Sequence, residues 1–243
     1  MDAPAPAAPE RRRSRLARWF DVWMRSVGIA VVLFFIIRIF LVEAFQIPSG
    51  SMERTLLVGD FLFVNKAVYG AQIPGTHARL PAFEAPRRGD VIVFPYPKNP
   101  DVTYVKRVIG LPGDTLEMVG GRMSVNDTTL AEPYVQRIDP RHDYFDPEFN
   151  WQRNYYLNPS SSARAVYRPS RDTWGPLVVP AGCYFVLGDN RDNSSDSRYW
   201  GFVDATTVKG RPWFVYWSYD RDAKDPYPWL TDIRWGRLGS AIR

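Results

Sequence analysis

Tyr104-Val105-Lys106-Arg107-Val108-Ile109-Gly110 decides the fold and isolates one residue within it. Its β-branched and aromatic residues favour a strand. Side chains alternate along a strand, so Tyr104, Lys106 and Val108 share one face. A lysine between an aromatic ring and a valine on a sheet face loses water, and that lowers its pKa. To act as a base near neutral pH it has to fall by about 2–3 units, a cost of roughly 3–4 kcal/mol to the fold. The plainer reading is a lysine snorkelling at a strand edge, or one paired with Asp90 or Asp114.

Working outward, similar short runs occur at Val91–Phe94, Thr115–Val119, Arg122–Asn126, Tyr184–Leu187 and Trp213–Tyr216. Gly120-Gly121 is a hairpin signal, and Pro112-Gly113-Asp114 and Pro180-Ala181-Gly182 are turns. The stretch 131–180 breaks the pattern. It is rich in Arg, Asp, Tyr, Asn, Ser and Pro without periodicity, and reads as a loop-rich insertion or cap. The expectation is a mostly β domain of antiparallel sheets over 46–243.

Upstream, Val27 to Phe45 is apolar except for Arg38 and Glu43. Each Leu, Ile, Phe or Val favours membrane insertion by roughly 0.3–0.6 kcal/mol, against about 3 for a central arginine. Arg38 is off-centre and can snorkel, so insertion wins. The alternatives are a buried core helix or a cleavable signal peptide, but no small-x-small pair follows the run. The segment 27–45 therefore reads as one transmembrane helix behind a basic arm at 1–26. Residues 2–10 are rich in Ala and Pro and read as disordered.

The formal net charge is +5, and most of it belongs to Arg11, Arg12, Arg13, Arg15, Arg18 and Arg25. No basic stripe with interleaved aromatics follows, which argues against a nucleic-acid partner. The arginines keep the arm in the cytoplasm and send the long C-terminal part across. Cys183 is the single cysteine, so an exported domain here has to rely on its core rather than on an internal disulfide.

The only histidines are His77 and His142, neither in a recognisable catalytic setting. A nucleophile in this chain needs another base, and a desolvated lysine can serve. Ser51 follows Pro48-Ser49-Gly50 in a turn that exposes its hydroxyl. Such turns are common and inert, and Ser51 gains weight only beside Lys106. Gly188-Asp-Asn-Arg-Asp-Asn-Ser-Ser-Asp-Ser-Arg-Tyr-Trp-Gly201 is dense in short hydrogen-bonding side chains. A calcium loop is disfavoured by Arg191 and Arg198 and by the missing sixth-position glycine. The plain alternative is an Asx-rich turn.

Four stretches now carry a resemblance: Pro48-Ser-Gly-Ser51-Met, Arg88-Gly-Asp-Val-Ile-Val-Phe94, Tyr104 to Asp114, and Gly188 to Gly201, in this order after an anchor. Together they resemble the bacterial type I signal peptidases, over roughly Phe45 to Trp217 and poorly over 131–180. The resemblance implies a Ser/Lys-dyad endopeptidase with Ser51 as nucleophile and Lys106 as general base. It puts Ser49 with the Ser51 backbone N–H in the oxyanion hole, Ser194 on the lysine amine, and Asp196 with Arg198 in a supporting ion pair. It implies a strand-like substrate against a wall of Phe45, Ile47, Pro48, Met52, Leu56, Tyr104 and Val105, cut after small-x-small.

The implied partners are signal peptides of exported preproteins, membrane lipid and the translocation machinery. No metal and no cofactor are implied. The implied location is the bacterial plasma membrane, single-pass, with the N-terminus cytoplasmic and the catalytic domain extracytoplasmic. The alternatives are a dedicated peptidase for one substrate such as a conjugative pilin, or an inactive peptide-binding relative. One departure is visible: Ser51-Met52-Glu53-Arg54-Thr55-Leu56 carries arginine where the family pattern has proline. Arg54 is expected to reach lipid headgroups.

Overall fold

The computed structural model describes residues 15–76, 78–157 and 160–242. The Ala/Pro-rich stretch at 2–10, Arg11 to Arg13 and His77 lie outside the described residues.

The apolar stretch begins as helix α1, Arg15–Ile36, and ends in a π-helical turn, Ile37–Leu41. The window Trp19–Leu41, 23 residues, is long and apolar enough to cross a membrane, and none of its most apolar part is buried in the fold. That exposure rules out the core-helix reading. The end of the expected span is corrected: from Val42 the chain is already strand β1, Val42–Gln46. Its backbone groups pair with β2, Asp60–Asn65, in antiparallel register from Val42 opposite Asn65 to Gln46 opposite Phe61. Pairing satisfies the peptide groups as a helix would, and the alternation of Val42, Ala44 and Gln46 with Glu43 and Phe45 suits a pleat.

The remaining strands are β3 Val91–Tyr96, β4 Asn99–Gly110, β5 Thr115–Val119, β6 Arg122–Val125, β7 Thr128–Thr129, β8 Trp174–Val178, β9 Cys183–Leu187, β10 Val203–Asp204 and β11 Arg211–Ser218. They form three sheets, in the orders β1-β2-β11, β10-β9-β4-β3 and β7-β6-β5-β8. Every ladder is antiparallel. The first two sheets are linked where the Val93 N–H donates to Gly210 O at 3.0 Å and the Lys209 N–H to Val93 O at 2.7 Å.

Between these sheets Ile47, Met52, Leu56, Leu62, Val64, Val93, Val105 and Val215 form one core cluster. A second gathers Ile109, Leu116, Met118, Trp174, Leu177 and Phe185 under the third sheet. The segment 131–180 is not all loop. Its last part supplies β8, which pairs with β5, and Pro147–Asn154 forms a 3-10 helix that donates from Trp151 Nε1 to Arg198 O at 2.9 Å.

Strand β4 positions the site. Its second half, Val105 to Gly110, is buried, and its first half emerges into solvent. Strand β9 covers it only at Arg107, Val108 and Gly110. The edge at Asp101–Lys106 is left open toward the chain that runs from β1, itself an end strand, to Ser51.

Candidate active site

The open edges of β1 and β4 bound a cleft of about 740 Å³ lined by Phe45 to Met52, by Asp101 to Lys106, and by Asn193 and Ser195. At its floor the Lys106 amine lies 2.6 Å from the Ser51 hydroxyl. Two local features bring them together. The 3-10 turn Gly50–Met52, entered from an extended Ser49 (φ −136°, ψ 156°), lifts Ser51 off the core while Met52 is buried beneath it. Strand alternation turns Lys106 the opposite way from Arg107.

Lys106 is 4% exposed and has no carboxylate within ion-pair distance among the described residues. Burial, partly offset by the more distant Asp196 and Asp189, lowers its pKa to about 8. The Tyr104 ring, with its centroid 5.2 Å from the amine, forms part of that dry surrounding.

The loop from Gly188 to Gly201 closes the site from the other side. Asn190 donates its backbone N–H to Ser51 O at 3.1 Å, and its Nδ2 to Gly50 O at 3.2 Å and Glu53 Oε2 at 3.0 Å. The Gly188 backbone passes so close that a Cβ there would lie 2.2 Å from Ser194 Oγ and 2.5 Å from Ser51 O. Only glycine permits that approach. Asp196 and Arg198 are fully buried and pair at 2.9 Å through both guanidinium–carboxylate contacts. Burial alone would raise the Asp196 pKa, but Arg198 and the Gly188 N–H outweigh it and hold the carboxyl below its usual range. The Arg198 guanidinium also donates to Arg191 O at 2.6 Å, so the pair braces the loop.

The structure gathers Ser49, Ser51 and Lys106 in one cleft with Phe45, Ile47, Pro48, Met52, Tyr104 and Val105 on its walls. Leu56 is the exception: it is completely buried in the core below, held there by the turn after Met52, and lines no part of the cleft. Ser194 is buried next to the site with its hydroxyl beside the Asp196 carboxylate, and it makes no hydrogen bond of regular geometry among the described residues.

Arg54 is exposed and lines no part of the cleft. Its guanidinium donates to Val135 O at 2.9 Å and borders a second hollow with Thr55, Arg107, Tyr134 and Arg237. Its φ of +81° is left-handed. A proline, with φ fixed near −65°, cannot follow this backbone.

Sequence reasoning missed Asp189, Arg107 and Thr55. Arg107 donates to both Asp189 oxygens, at 2.8 and 2.6 Å, and Thr55 Oγ1 donates to Asp189 Oδ2 at 2.5 Å. One buried carboxylate thus ties together the Ser51 turn, β4 and the closing loop. The signal was present as a buried-strand arginine and an acid directly after Gly188, but nothing local pairs residues so far apart in the chain.

A serine hydroxyl against a buried, uncompensated amine needs a family to give it an activity. The family model described as signal peptidase, peptidase S26, matches residues 20–217. The chain belongs to this family. Among its relatives, signal peptidase I of Pseudomonas aeruginosa is 39% identical over 90% of this chain and 79% of its own length. Signal peptidase I of Pseudomonas fluorescens is 40% identical over 84% of this chain and 73% of its own. The solved signal peptidase I of Enterococcus faecalis V583 is 34% identical, covering 53% of this chain and 97% of its own, with a TM-score of 0.34. Peptidase S26 membership makes the chain a serine endopeptidase acting on the signal peptides of preproteins, and its exposed N-terminal helix fits a membrane anchor.

Proposed function

We propose that this peptidase cuts signal peptides from exported preproteins by a Ser51/Lys106 dyad, after small-x-small sequences, with its catalytic domain on the outer side of the bacterial plasma membrane. The observation that carries the proposal is the 2.6 Å contact between Ser51 Oγ and an amine whose pKa burial lowers to about 8.

In the neutral form Lys106 accepts the Ser51 proton as Oγ attacks the carbonyl carbon of the scissile bond. The oxyanion forms between the Ser51 N–H and the Ser49 hydroxyl, donors of a kind typically worth about 10²–10³ in rate. The protonated amine then gives its proton to the leaving nitrogen. Water, deprotonated by the same amine, hydrolyses the acyl-enzyme and frees Ser51. Ser194 is buried next to the site, its hydroxyl beside Asp196 and in no hydrogen bond of regular geometry among the described residues, which supports a role in steadying that amine.

The substrate lies extended between the open edges of β1 and β4, adding a strand to each. The wall of Phe45, Ile47, Met52 and Tyr104 leaves shallow apolar pockets, and one surplus methylene in such a pocket costs roughly 1–3 kcal/mol. The N-terminal arm stays in the cytoplasm because its arginines resist transfer.

The test is cleavage of a preprotein by purified, detergent-solubilised enzyme, with the cut located by mass spectrometry. Ser51→Ala and Lys106→Ala should each bring cleavage to background, and the double variant should lose little more, because the two act as one unit. Cleavage by purified Ser51→Ala overturns the reading.

A further inference from the structure

The cleft carries one charge that the chemistry above does not use. Asp101 lines it at the end away from the dyad, on the emerging half of β4, and is exposed. Every other lining residue except Lys106 is uncharged. Asp101 has no ion-pair partner among the described residues. The nearby cations are engaged elsewhere: Lys98 pairs with Glu148 at 2.8 Å, and Lys209 donates to Thr103 Oγ1 at 2.9 Å. The Asp101 backbone N–H donates to Asn99 Oδ1 at 3.3 Å, which holds the residue at the rim and leaves its carboxylate to solvent.

Strand geometry gives its distance from the chemistry. Asp101 stands five residues before Lys106 on β4, at most about 17 Å away at about 3.3 Å per residue, since the strand's pairing with β3 is irregular between Asn99 and Thr103. An extended substrate lying on that edge covers that length with at most five residues. The direction follows from the opposite wall. Phe45 and Gln46 belong to β1, which leaves the membrane-spanning helix directly, so this end of the cleft faces the membrane. The apolar part of a signal peptide lies in the membrane and precedes the cut. Asp101 therefore meets the signal-peptide side and not the mature chain.

We infer that Asp101 is a specificity residue that favours a basic over an acidic side chain at the fifth or sixth position before the scissile bond. The inference rests on the cleft being the signal-peptide site. An exposed ion pair at a rim typically gives about 0.2–1 kcal/mol, so the discrimination is about 1.4- to fivefold in kcat/KM. It weakens as salt shortens the reach of the carboxylate.

The experiment uses the full chain in detergent and three peptides that share alanine at the first and third positions before the bond. They carry lysine, alanine or glutamate at the fifth. The expected order of kcat/KM at low salt is lysine, alanine, glutamate, with about 1.4- to fivefold between neighbours and convergence near 1 M salt. Asp101→Asn should make the three equal, and Asp101→Lys should reverse the order. A residue with a merely structural role would lower all three together. An unchanged order in Asp101→Lys overturns the inference, as does a preference that persists undiminished at high salt. Cleavage of all three peptides without charge dependence overturns this inference alone. Failure to cleave any of them overturns the reading of the cleft itself, and this inference with it.

Discussion

Lys106 and Arg107 are neighbours on one strand, both buried, and the fold treats them in opposite ways. Arg107 faces Asp189, which meets its guanidinium with two hydrogen bonds. Lys106 faces a serine hydroxyl and an apolar cleft, with its nearest acids held at a distance by other partners: Asp189 by Arg107, Asp196 by Arg198. Charge compensation makes the first residue a structural tie. Withholding it lowers the pKa of the second to about 8, which suits the proposed role as base. The strand's two-residue period separates these environments, so one sequence position decides between rigidity and reactivity.

The comparison breaks first on the compensated side. Asp189→Ala leaves the Arg107 charge buried without its carboxylate and also removes the acceptor of the Thr55 hydroxyl. Losing one partner of a buried pair typically costs about 3–5 kcal/mol. The expected outcome is destabilisation of that size in denaturant titration, with lower activity because the nucleophile turn and the closing loop lose their common anchor. A loss below about 1 kcal/mol would mean that the pair is better solvated than its burial implies.

The uncompensated side should respond with the opposite sign. The pKa of Lys106 is about 8 in the fold, against 10.5 for a free lysine. Below pH 8 the amine is protonated folded and unfolded, and the fold bears the whole penalty of a buried charge. Between pH 8 and about 10.5 the unfolded chain holds a proton that the folded chain lacks, so stability rises with pH. Above that range the penalty is gone. Lys106→Met should therefore be inactive yet more stable than the parent at pH 6–7, by up to about 3 kcal/mol, and the gap should close by pH 10.5. Unfolding curves of the two proteins across that range measure it directly. Wild-type cleavage should rise through pH 8 to a plateau, and a single acidic optimum would contradict a lysine base.

The same contrast explains what could be read in the sequence. Lys106 and Ser51 were legible because each sits in a short local pattern, a β-branched strand and a Pro/Gly turn. Asp189 was not legible as Arg107's partner, because only the folded sheet brings them together. Strands with one polar face, such as Thr115–Val119, stood out by alternation. Asp60–Asn65 did not, because Phe61 and Phe63 on its outer face pack against Tyr216 and Phe214 and erase the polar half of the pattern. Val42–Gln46 was absorbed into the apolar run before it. Trp174–Val178 was hidden by Gly175-Pro176 inside a polar stretch. Leu56 looked like wall because it stands near Ser51 in the chain, but the turn between them sends it inward.

That turn supplies the smallest and sharpest variation on the comparison, since Arg54 is a cation with no acid partner among the described residues and lies outside the cleft lining. The Thr55 N–H donates to Met52 O at 3.0 Å, Glu53 has φ −52° and ψ 148°, and Arg54 has φ +81°. This is a type II turn with arginine where glycine is favoured. Holding a non-glycine residue in the left-handed region costs about 1–2 kcal/mol. The hydrogen bond to Val135 O returns about 0.5–1.5 kcal/mol, and less at an exposed site. Arg54→Ala keeps the strain and loses the bond. Arg54→Gly loses the bond and the strain together, offset by about 0.4–1 kcal/mol of unfolded-chain entropy. The glycine variant should therefore be within about 1 kcal/mol of the parent and at least as stable as the alanine variant. Both should cut the same bond with the same preference, because the guanidinium points away from the cleft into the 131–180 segment. If alanine proves the more stable replacement, the turn is not left-handed in solution. If either variant moves the cut, Arg54 reaches the substrate after all, and the separation between a structural side and a reactive side fails at the turn that joins them.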